Sequence, residues 1–254
     1  SVLVAWRLGV MPPRRQIAKP PNDCAIKRAS TMKKFAVMTQ KGGSGKTTLA
    51  VHLAVAMSQG SARIALLDTD PQASAVEWAR GRHAKTGPTV GRVPPEELDD
   101  ALFAAEEGGF DVGIVDTAPH AAPSAARIAK LVDFILIPVR PSAFDLAAAR
   151  DSSAIAKAAR CPAAFVLSAC PLRAPEISAA RRALQGYGIP VLDSEIAERR
   201  AFSRAISSCQ AVSEFEPDGR AALEIRQLLR ELAQIAKLPH HVVTEHKNVE
   251  EAHS

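Results

Sequence analysis

A glycine-rich stretch, Lys41–Thr48, connects the largely apolar segment Phe35–Gln40 to a second apolar segment, Leu49–Met57. This spacing predicts a strand, a tight loop and a helix in succession. Glycines within the loop allow the backbone to turn sharply and to bring its N–H groups close to an anion. The N-terminus of the following helix adds a positive potential at the same place. Together these features predict a loop that binds phosphate.

The polar side chains of this loop are suited to a nucleoside triphosphate. Lys46 supplies a cation for the β- and γ-phosphates, and the Thr47 hydroxyl is placed to ligate Mg²⁺. The usual pattern opens with a glycine, but Gln40 occupies that position here and Lys41 follows it. The predicted nucleotide-binding residues are Lys41, Gly42, Gly43, Ser44, Gly45, Lys46, Thr47 and Thr48.

Carboxylates follow two later apolar segments. Asp68 and Asp70 stand two residues apart at the end of one predicted strand, so their side chains point the same way and could hold a Mg²⁺-bound water and orient an attacking water. Asp116 ends another strand and could reach Mg²⁺ through water. A simple Asp-Pro turn at Asp70-Pro71 is the alternative for the first pair. The predicted metal-site residues are Thr47, Asp68 and Asp116.

Three segments occur in order along the chain: Lys41–Thr48 (KGGSGKTT), Asp68–Gln72 (DTDPQ) and Phe110–Asp116 (FDVGIVD). In this order they resemble the nucleotide-binding motifs of the ParA/MinD group of P-loop ATPases, which carry an additional lysine at the start of the loop. The resemblance extends over residues 32–238. It is greatest to the short ParA-type partition ATPases that lack an N-terminal helix-turn-helix domain. It implies ATP and Mg²⁺ as cofactors.

The resemblance also implies roles for single residues. In the family the additional lysine, here Lys41, reaches across an ATP-bound homodimer to the partner's nucleotide, and Lys46 and Asp70 are the other catalytic residues. Thr117, and not a glutamate, directly follows Asp116, so slow hydrolysis that a partner protein stimulates is expected. The implied partner is a ParB-type or other small centromere-binding adaptor. The implied function is partition or positioning of plasmid or chromosomal DNA.

Two further sets of residues are assigned through the resemblance. Basic residues of the C-terminal half bind DNA without sequence preference in the family, which here suggests Arg199, Arg200 and Arg204; a solvated helix face is the alternative. Relatives often carry an asparagine near the base, where this chain has Ser168, followed by Pro171. These two residues are the predicted base pocket, and a preference for adenine rests on the resemblance alone.

The charge of the chain is distributed unevenly. Its 254 residues have a net charge of +5, yet residues 1–31 hold six of the 32 Lys and Arg and one of the 27 Asp and Glu. The remaining residues are therefore balanced, and DNA binding would need a local patch. The four cysteines form no CxxC pair, and no apolar run reaches the ~18 residues of a membrane span. A cytoplasmic, nucleoid-associated protein without a membrane partner is expected.

The alternation of strand and helix patterns predicts an α/β fold, a mostly parallel twisted sheet with helices on both faces. Residues 32–238 are expected to form one P-loop ATPase domain, with a short strand at Ile189–Leu192 near its end. Residues 1–31 are expected to be a disordered or non-native extension, or else a targeting segment or basic arm. Residues 239–254 are expected to be a frayed polar tail.

Two other functions remain compatible with these motifs. One is an ATP-dependent biosynthetic enzyme that forms amides or carboxylates its substrate, although no second substrate pocket is evident in the sequence. The other is the positioning of a protein cargo instead of DNA, because the same nucleotide switch would serve both.

Overall fold

The computed structural model describes residues 32–84, 86–119, 122–172 and 174–243. The predicted extension at residues 1–31 lies outside the described residues, as does the end of the predicted tail.

The described residues form a seven-stranded sheet in which every neighbouring pair of strands is parallel. The strand order is β3-β2-β4-β1-β5-β6-β7. The strands are β1 Lys33–Val37, β2 Ile64–Asp68, β3 Thr89–Arg92, β4 Val112–Asp116, β5 Phe134–Val139, β6 Ala163–Cys170 and β7 Val191–Ala197. The predicted α/β fold is confirmed, with a sheet that is parallel throughout.

Helices cover both faces of this sheet. They are α1 Lys46–Ser58, α2 Ser74–Arg80, α3 Leu98–Glu107, α4 Ala122–Ile128, α5 Ala143–Ala158, α6 Pro175–Gln185, α7 Arg200–Ser207, α8 Val212–Phe215 and α9 Arg220–Ile235, with short 3₁₀ helices at Pro95–Glu97 and His240–Val242. In the part of the chain that the structure describes, no helix has both the length and the apolar character needed to cross a bilayer.

Two hydrophobic cores lie on opposite sides of the sheet. Successive strand residues alternate between them: Phe35 and Val37 of β1 pack with α1 and α9, whereas Ala36 packs with α3 to α6. Strands β2, β4 and β5 are buried along their whole length. This is why they read as nearly continuous apolar runs in the sequence.

The register of the central strands determines where the chemical residues meet. Val37 of β1 pairs with Asp116 of β4, and Asp116 pairs on its other side with Asp68 of β2. Since the strands are parallel, their carboxyl ends share one edge of the sheet, the edge at which α/β proteins bind ligands. The glycine-rich loop and both predicted metal-site carboxylates therefore meet at this edge.

The structure differs from the sequence prediction near the C-terminus. The last strand runs over Val191–Ala197, longer than the predicted Ile189–Leu192, and the four-residue helix α8 was not predicted. Val242 is fully buried, so ordered chain extends past Leu238, where the domain was expected to end.

One core residue links the first helix to the C-terminal segment. His52 of α1 is fully buried, its Nδ1 accepts a hydrogen bond from the Val212 N–H at 3.2 Å, and its ring lies 5.2 Å from that of Phe202. Within the described ranges its Nε2 has no hydrogen-bond partner. Burial lowers the pKa of His52 to about 3, although the carboxylate of Glu214 acts in the opposite direction. The folded protein therefore keeps this imidazole neutral.

We predict that His52 makes the fold acid-sensitive. The pKa of His52 is lower in the folded than in the unfolded chain. Its contribution to the free energy of unfolding is therefore complete above pH ~6.5, and it is lost as the pH falls toward the pKa of the folded state. Between pH 6 and 4 the wild-type free energy of unfolding should fall about 1.4 kcal/mol per pH unit more steeply than that of His52→Gln. Urea unfolding at a series of pH values measures this difference.

The exposed His83 provides the control. The His83→Gln variant should keep the steep wild-type slope because His52 is intact. Parallel slopes for wild type and His52→Gln would contradict the prediction.

Candidate nucleotide-binding site

The loop between β1 and α1 is shaped to receive an anion. Gly43 and Gly45 have φ values of +73° and +90°, a conformation that side chains with a Cβ rarely adopt, although a Cβ at either position would meet nothing within 4 Å. Helix α1 begins directly after Gly45, with no side-chain cap and no acidic residue in its first turn. Its first N–H groups are therefore available to phosphate oxygens.

Two cations belong to this loop. Lys46 is nearly buried, and its Nζ donates a hydrogen bond to the Lys41 carbonyl at 3.0 Å, while the Ser44 hydroxyl donates to the same carbonyl at 3.3 Å. Burial lowers the pKa of Lys46, whereas the carboxylates of Asp116 and Asp70 raise it. Lys46 therefore lies inside its own loop and close to the acids.

Lys41 has a different environment. Its Nζ lies 2.7 Å from Oδ2 of Asp145, in the first turn of α5, and 5.6 Å from the centroid of the Phe144 ring. Asp145 is buried and also accepts a hydrogen bond from the hydroxyl of Ser142, the N-cap residue of α5. The side chain of Lys41 remains 33% exposed. The side chain of Lys41 therefore lies outside the loop, whereas that of Lys46 lies inside it.

Asp116 is a buried carboxylate at the end of β4, close to Thr47 and Lys46. Neither of its oxygens has a hydrogen-bond partner among the described residues. Burial raises the pKa of Asp116 to about 7; the Thr47 hydroxyl and the Lys46 ammonium oppose this effect, and the charges of Asp68 and Asp70 add to it. A buried carboxylate without a hydrogen-bond partner costs free energy, and a bound cation would offset this cost.

Asp68 and Asp70 organise the turn after β2. Asp68 accepts hydrogen bonds from the N–H groups of Asp70 at 3.0 Å, Ala75 at 2.9 Å and Val76 at 3.4 Å. Burial raises the pKa of Asp68, and these hydrogen bonds lower it in part. Asp70 is half-buried and accepts a hydrogen bond from the Gln72 N–H at 2.9 Å. The Asp-Pro turn therefore exists, and it places both carboxylates beside the loop.

These residues fit Mg²⁺ bound together with a nucleotide. Thr47 and the unpartnered Asp116 would hold the ion, directly or through water, with Asp68 next to them. No group of three or more His, Cys, Asp or Glu within the described ranges could hold a metal by itself. Phosphate and water oxygens would thus have to complete its octahedral coordination. When bound, Mg²⁺ neutralises charge that develops on the phosphates.

A cavity of about 510 Å³ adjoins the loop. It runs from Gly45 and Thr48 to the ends of β6 and β7 and to α7. Ser168 lines it, but its hydroxyl donates a hydrogen bond to the Ser44 carbonyl at 3.0 Å and so supports the loop. The exposed Pro171 does not belong to the described lining. The cavity is large enough for a nucleoside.

Residues 35–212 match the family model described as the CobQ/CobB/MinD/ParA nucleotide binding domain. The chain belongs to this family. It is 31% identical over 202 residues to maintenance of carboxysome distribution protein A of Gloeobacter kilaueensis, covering 78% of this chain and 91% of that protein. It is 26% identical over 175 residues to ParA of Rhizobium radiobacter, covering 66% and 79%.

The fold of the family recurs among solved structures. The septum site-determining protein MinD from Pyrococcus horikoshii OT3, in complex with Mg-ADP, superposes with a TM-score of 0.69 at 16% identity, covering 81% of this chain and 97% of that one. The resemblance to ParA/MinD proteins inferred from the motifs is therefore confirmed, and this chain is a member of a nucleotide-binding family.

In this family member the three predicted DNA-binding arginines occupy different environments. Arg199 binds a residue of α9: its Nε and Nη2 donate hydrogen bonds to Oε1 of Glu224 at 2.9 and 2.6 Å. Arg200 is exposed and lines the cavity. Arg204 is exposed on α7, 4.0 Å from Glu216 and over the Phe215 ring. The two exposed arginines can meet a polyanion, whereas Arg199 serves the fold.

Asp145 is not among the site residues predicted from the sequence. Its signal was the Ser142-x-x-Asp145 spacing, which resembles the capping pattern that starts many helices. That spacing could have placed the start of α5 at Ala143. It could not have shown that Asp145 also pairs with Lys41.

We predict that Asp116→Asn weakens the effect of Mg²⁺ on nucleotide binding without lowering the stability of the fold. The amide removes an unpartnered charge, so the melting temperature of the nucleotide-free protein should stay the same or rise. The gain in ADP affinity that Mg²⁺ gives should fall about 10-fold or more, the usual cost of a lost contact to a charged group. Nucleotide titration with Mg²⁺ and with EDTA measures this gain.

The exposed Asp99 on α3 provides the control, since Asp99→Asn should leave the Mg²⁺ effect unchanged. An Asp116→Asn protein that keeps the wild-type Mg²⁺ effect would exclude this residue from the metal site.

Proposed function

We propose that this chain is an ATP-hydrolysing switch that forms a homodimer when ATP is bound and thereby positions a cargo within the cell. The observation that carries the proposal is the different placement of its two lysines. Lys46 lies inside its own loop, whereas the Lys41 ammonium is held by Asp145 outside it. A cation at the mouth of the site is suited to reach the triphosphate of a second copy.

The proposed chemistry assigns each residue one task. Lys46 and the loop N–H groups hold the phosphates, and Lys41 stabilises charge on the partner's nucleotide. Asp70, half-buried at the same edge, orients the attacking water. Since Thr117, and not a glutamate, directly follows Asp116, turnover is slow until a partner protein stimulates it.

Coupling of nucleotide to dimer formation supplies the switch. If ATP binds the dimer more tightly than the monomer, ATP must favour the dimer by the same factor, and hydrolysis reverses this preference. A surface that is complete only in the dimer then binds a second macromolecule, the matrix on which the cargo is positioned, and it does so only with ATP bound. Nonspecific DNA is the matrix we propose, bound through Arg200 and Arg204.

The relatives point to two kinds of cargo. The ParA match supports DNA as cargo, recruited through a ParB-type or other small adaptor. The match to a protein named for carboxysome distribution spans more of both chains, which favours a cargo other than DNA. The nucleotide switch is the same in both cases, so the cargo is decided by the adaptor.

We predict that Lys41→Ala uncouples nucleotide binding from assembly. ADP affinity should change less than about 3-fold because Lys46 and the loop remain, whereas partner-stimulated turnover should fall at least about 100-fold, as for loss of a group that stabilises transition-state charge. Light scattering with a non-hydrolysable ATP analogue should show a dimer for wild type and a monomer for the variant.

The exposed Lys130 provides the control, and Lys130→Ala should dimerise like wild type. A wild-type protein that stays monomeric with the ATP analogue would overturn the proposal.

We predict that DNA binding requires ATP, ignores sequence and weakens with salt. Arg204→Gln should lower the slope of log affinity against log salt by about one, because one phosphate contact is lost. Arg204 lies outside the cavity lining, so ATP-dependent dimerisation should be unaffected. Co-sedimentation with DNA across a salt series, with ATP, ADP or no nucleotide, measures the slope.

Arg230→Gln, at an exposed position on α9, is the matched control and should keep the wild-type slope. Absence of DNA binding by wild type in every nucleotide state would contradict the prediction and favour the biosynthetic alternative.

A further inference from the structure

An arginine outside the known motifs faces the nucleotide cavity. Arg140 directly follows β5, which pairs with β1 in parallel so that Leu136 stands opposite Val37. Because the two strands end at the same edge, this pairing carries Arg140 to the start of the phosphate-binding loop. Its side chain is exposed and lines the cavity with Gly45 and Thr48.

Three of the neighbouring cations are already engaged by the protein, whereas Arg200 is exposed. Lys41 pairs with Asp145, Lys46 donates to a loop carbonyl, and Arg199 pairs with Glu224. For the guanidinium of Arg140 the structure gives no hydrogen bond or ion pair with any described residue. Its five N–H donors therefore remain available to a ligand.

The charge of the cavity lining favours an anionic ligand near Arg140. Among the described residues the lining contains the arginines 140, 199 and 200 and one carboxylate, Glu198. Since Glu224 neutralises Arg199, the remaining side chains Arg140, Arg200 and Glu198 have a formal net charge of +1. The uncapped N-terminus of α1, which contributes Thr48 to the same lining, adds positive potential.

We propose that Arg140 is a phosphate-binding residue of this site and contacts the phosphate chain of the bound nucleotide. The inference rests on the proposed function, since it assumes that the cavity receives a nucleotide. A guanidinium presents paired donors that match phosphate oxygens, and such charge-assisted contacts are the stronger class of hydrogen bond. Arg140 thus adds a cation from β5 to those that the loop supplies.

The competing role is stacking of the guanidinium plane on the base, which arginine also performs. The two roles respond differently to a change of base. A phosphate contact costs the same factor for every nucleotide when it is removed, whereas a stacking contact costs a factor that changes with the base.

The experiment measures the dissociation constants of ADP and GDP for wild type and two variants. Arg140→Gln should weaken both nucleotides by the same factor, about 10- to 100-fold, as for loss of a charged hydrogen bond. Arg140→Lys should recover part of this loss, because lysine keeps the positive charge but lacks the paired N–H donors of the guanidinium. The exposed Arg150 on α5 provides the control, and Arg150→Gln should bind both nucleotides like wild type.

An unchanged affinity in Arg140→Gln, or a loss that differs between ADP and GDP, would overturn the inference. Circular dichroism of the variants confirms that they are folded. Failure of the proposed function is distinguishable, because it would appear in wild type as absence of ATP-dependent dimers. Nucleotide-bound wild-type dimers together with an unaffected Arg140→Gln would overturn the role of Arg140 alone.

Discussion

The site depends on the position of β4 between β1 and β2. This pairing places Asp116 next to Val37 on one side and Asp68 on the other, so one strand end brings the phosphate-binding loop and the acidic turn together. A shift of one residue in β4 would turn Asp116 to the other face of the sheet. Burial of β4 on both faces opposes such a shift, since apolar contacts on both sides fix the strand. The hydrophobic core thereby determines the geometry of the polar site.

The sequence predicted those parts of the molecule that local rules govern. The glycines predicted a sharp turn in the loop, which the structure shows with positive φ at Gly43 and Gly45. Apolar runs predicted the buried strands, and the acids after those runs fell at the correct edge of the sheet. Parallel topology then brought Asp68 and Asp116 together without any knowledge of side-chain contacts. Such features require only the chain direction and the strand order.

Contacts between distant segments could not be predicted in this way. Lys41 and Asp145 are 104 residues apart, and Ser168 reaches Ser44 across 124 residues. Arg199 illustrates the consequence: a cluster of arginines in the sequence suggested one DNA-binding surface, but Glu224 on another helix engages one of them. The charge of a residue is visible in the sequence, whereas its partner is not. The contact between Asp145 and Lys41, and the position of Arg140 in the cavity lining, therefore became visible only in the fold.

The groups that the protein leaves unsatisfied at this edge complement one another. Among the described residues, the Asp116 oxygens have no hydrogen-bond donor, the N-terminus of α1 has no side-chain cap, and the Arg140 guanidinium has no acceptor. A nucleotide with its metal ion presents the opposite charges, so one ligand can satisfy all three. Its binding energy is then added to the stability of the fold, because a ligand that binds only the folded state stabilises that state by mass action. A buried carboxylate without a hydrogen-bond partner costs free energy, so binding of a metal ion together with an anion would relieve that cost.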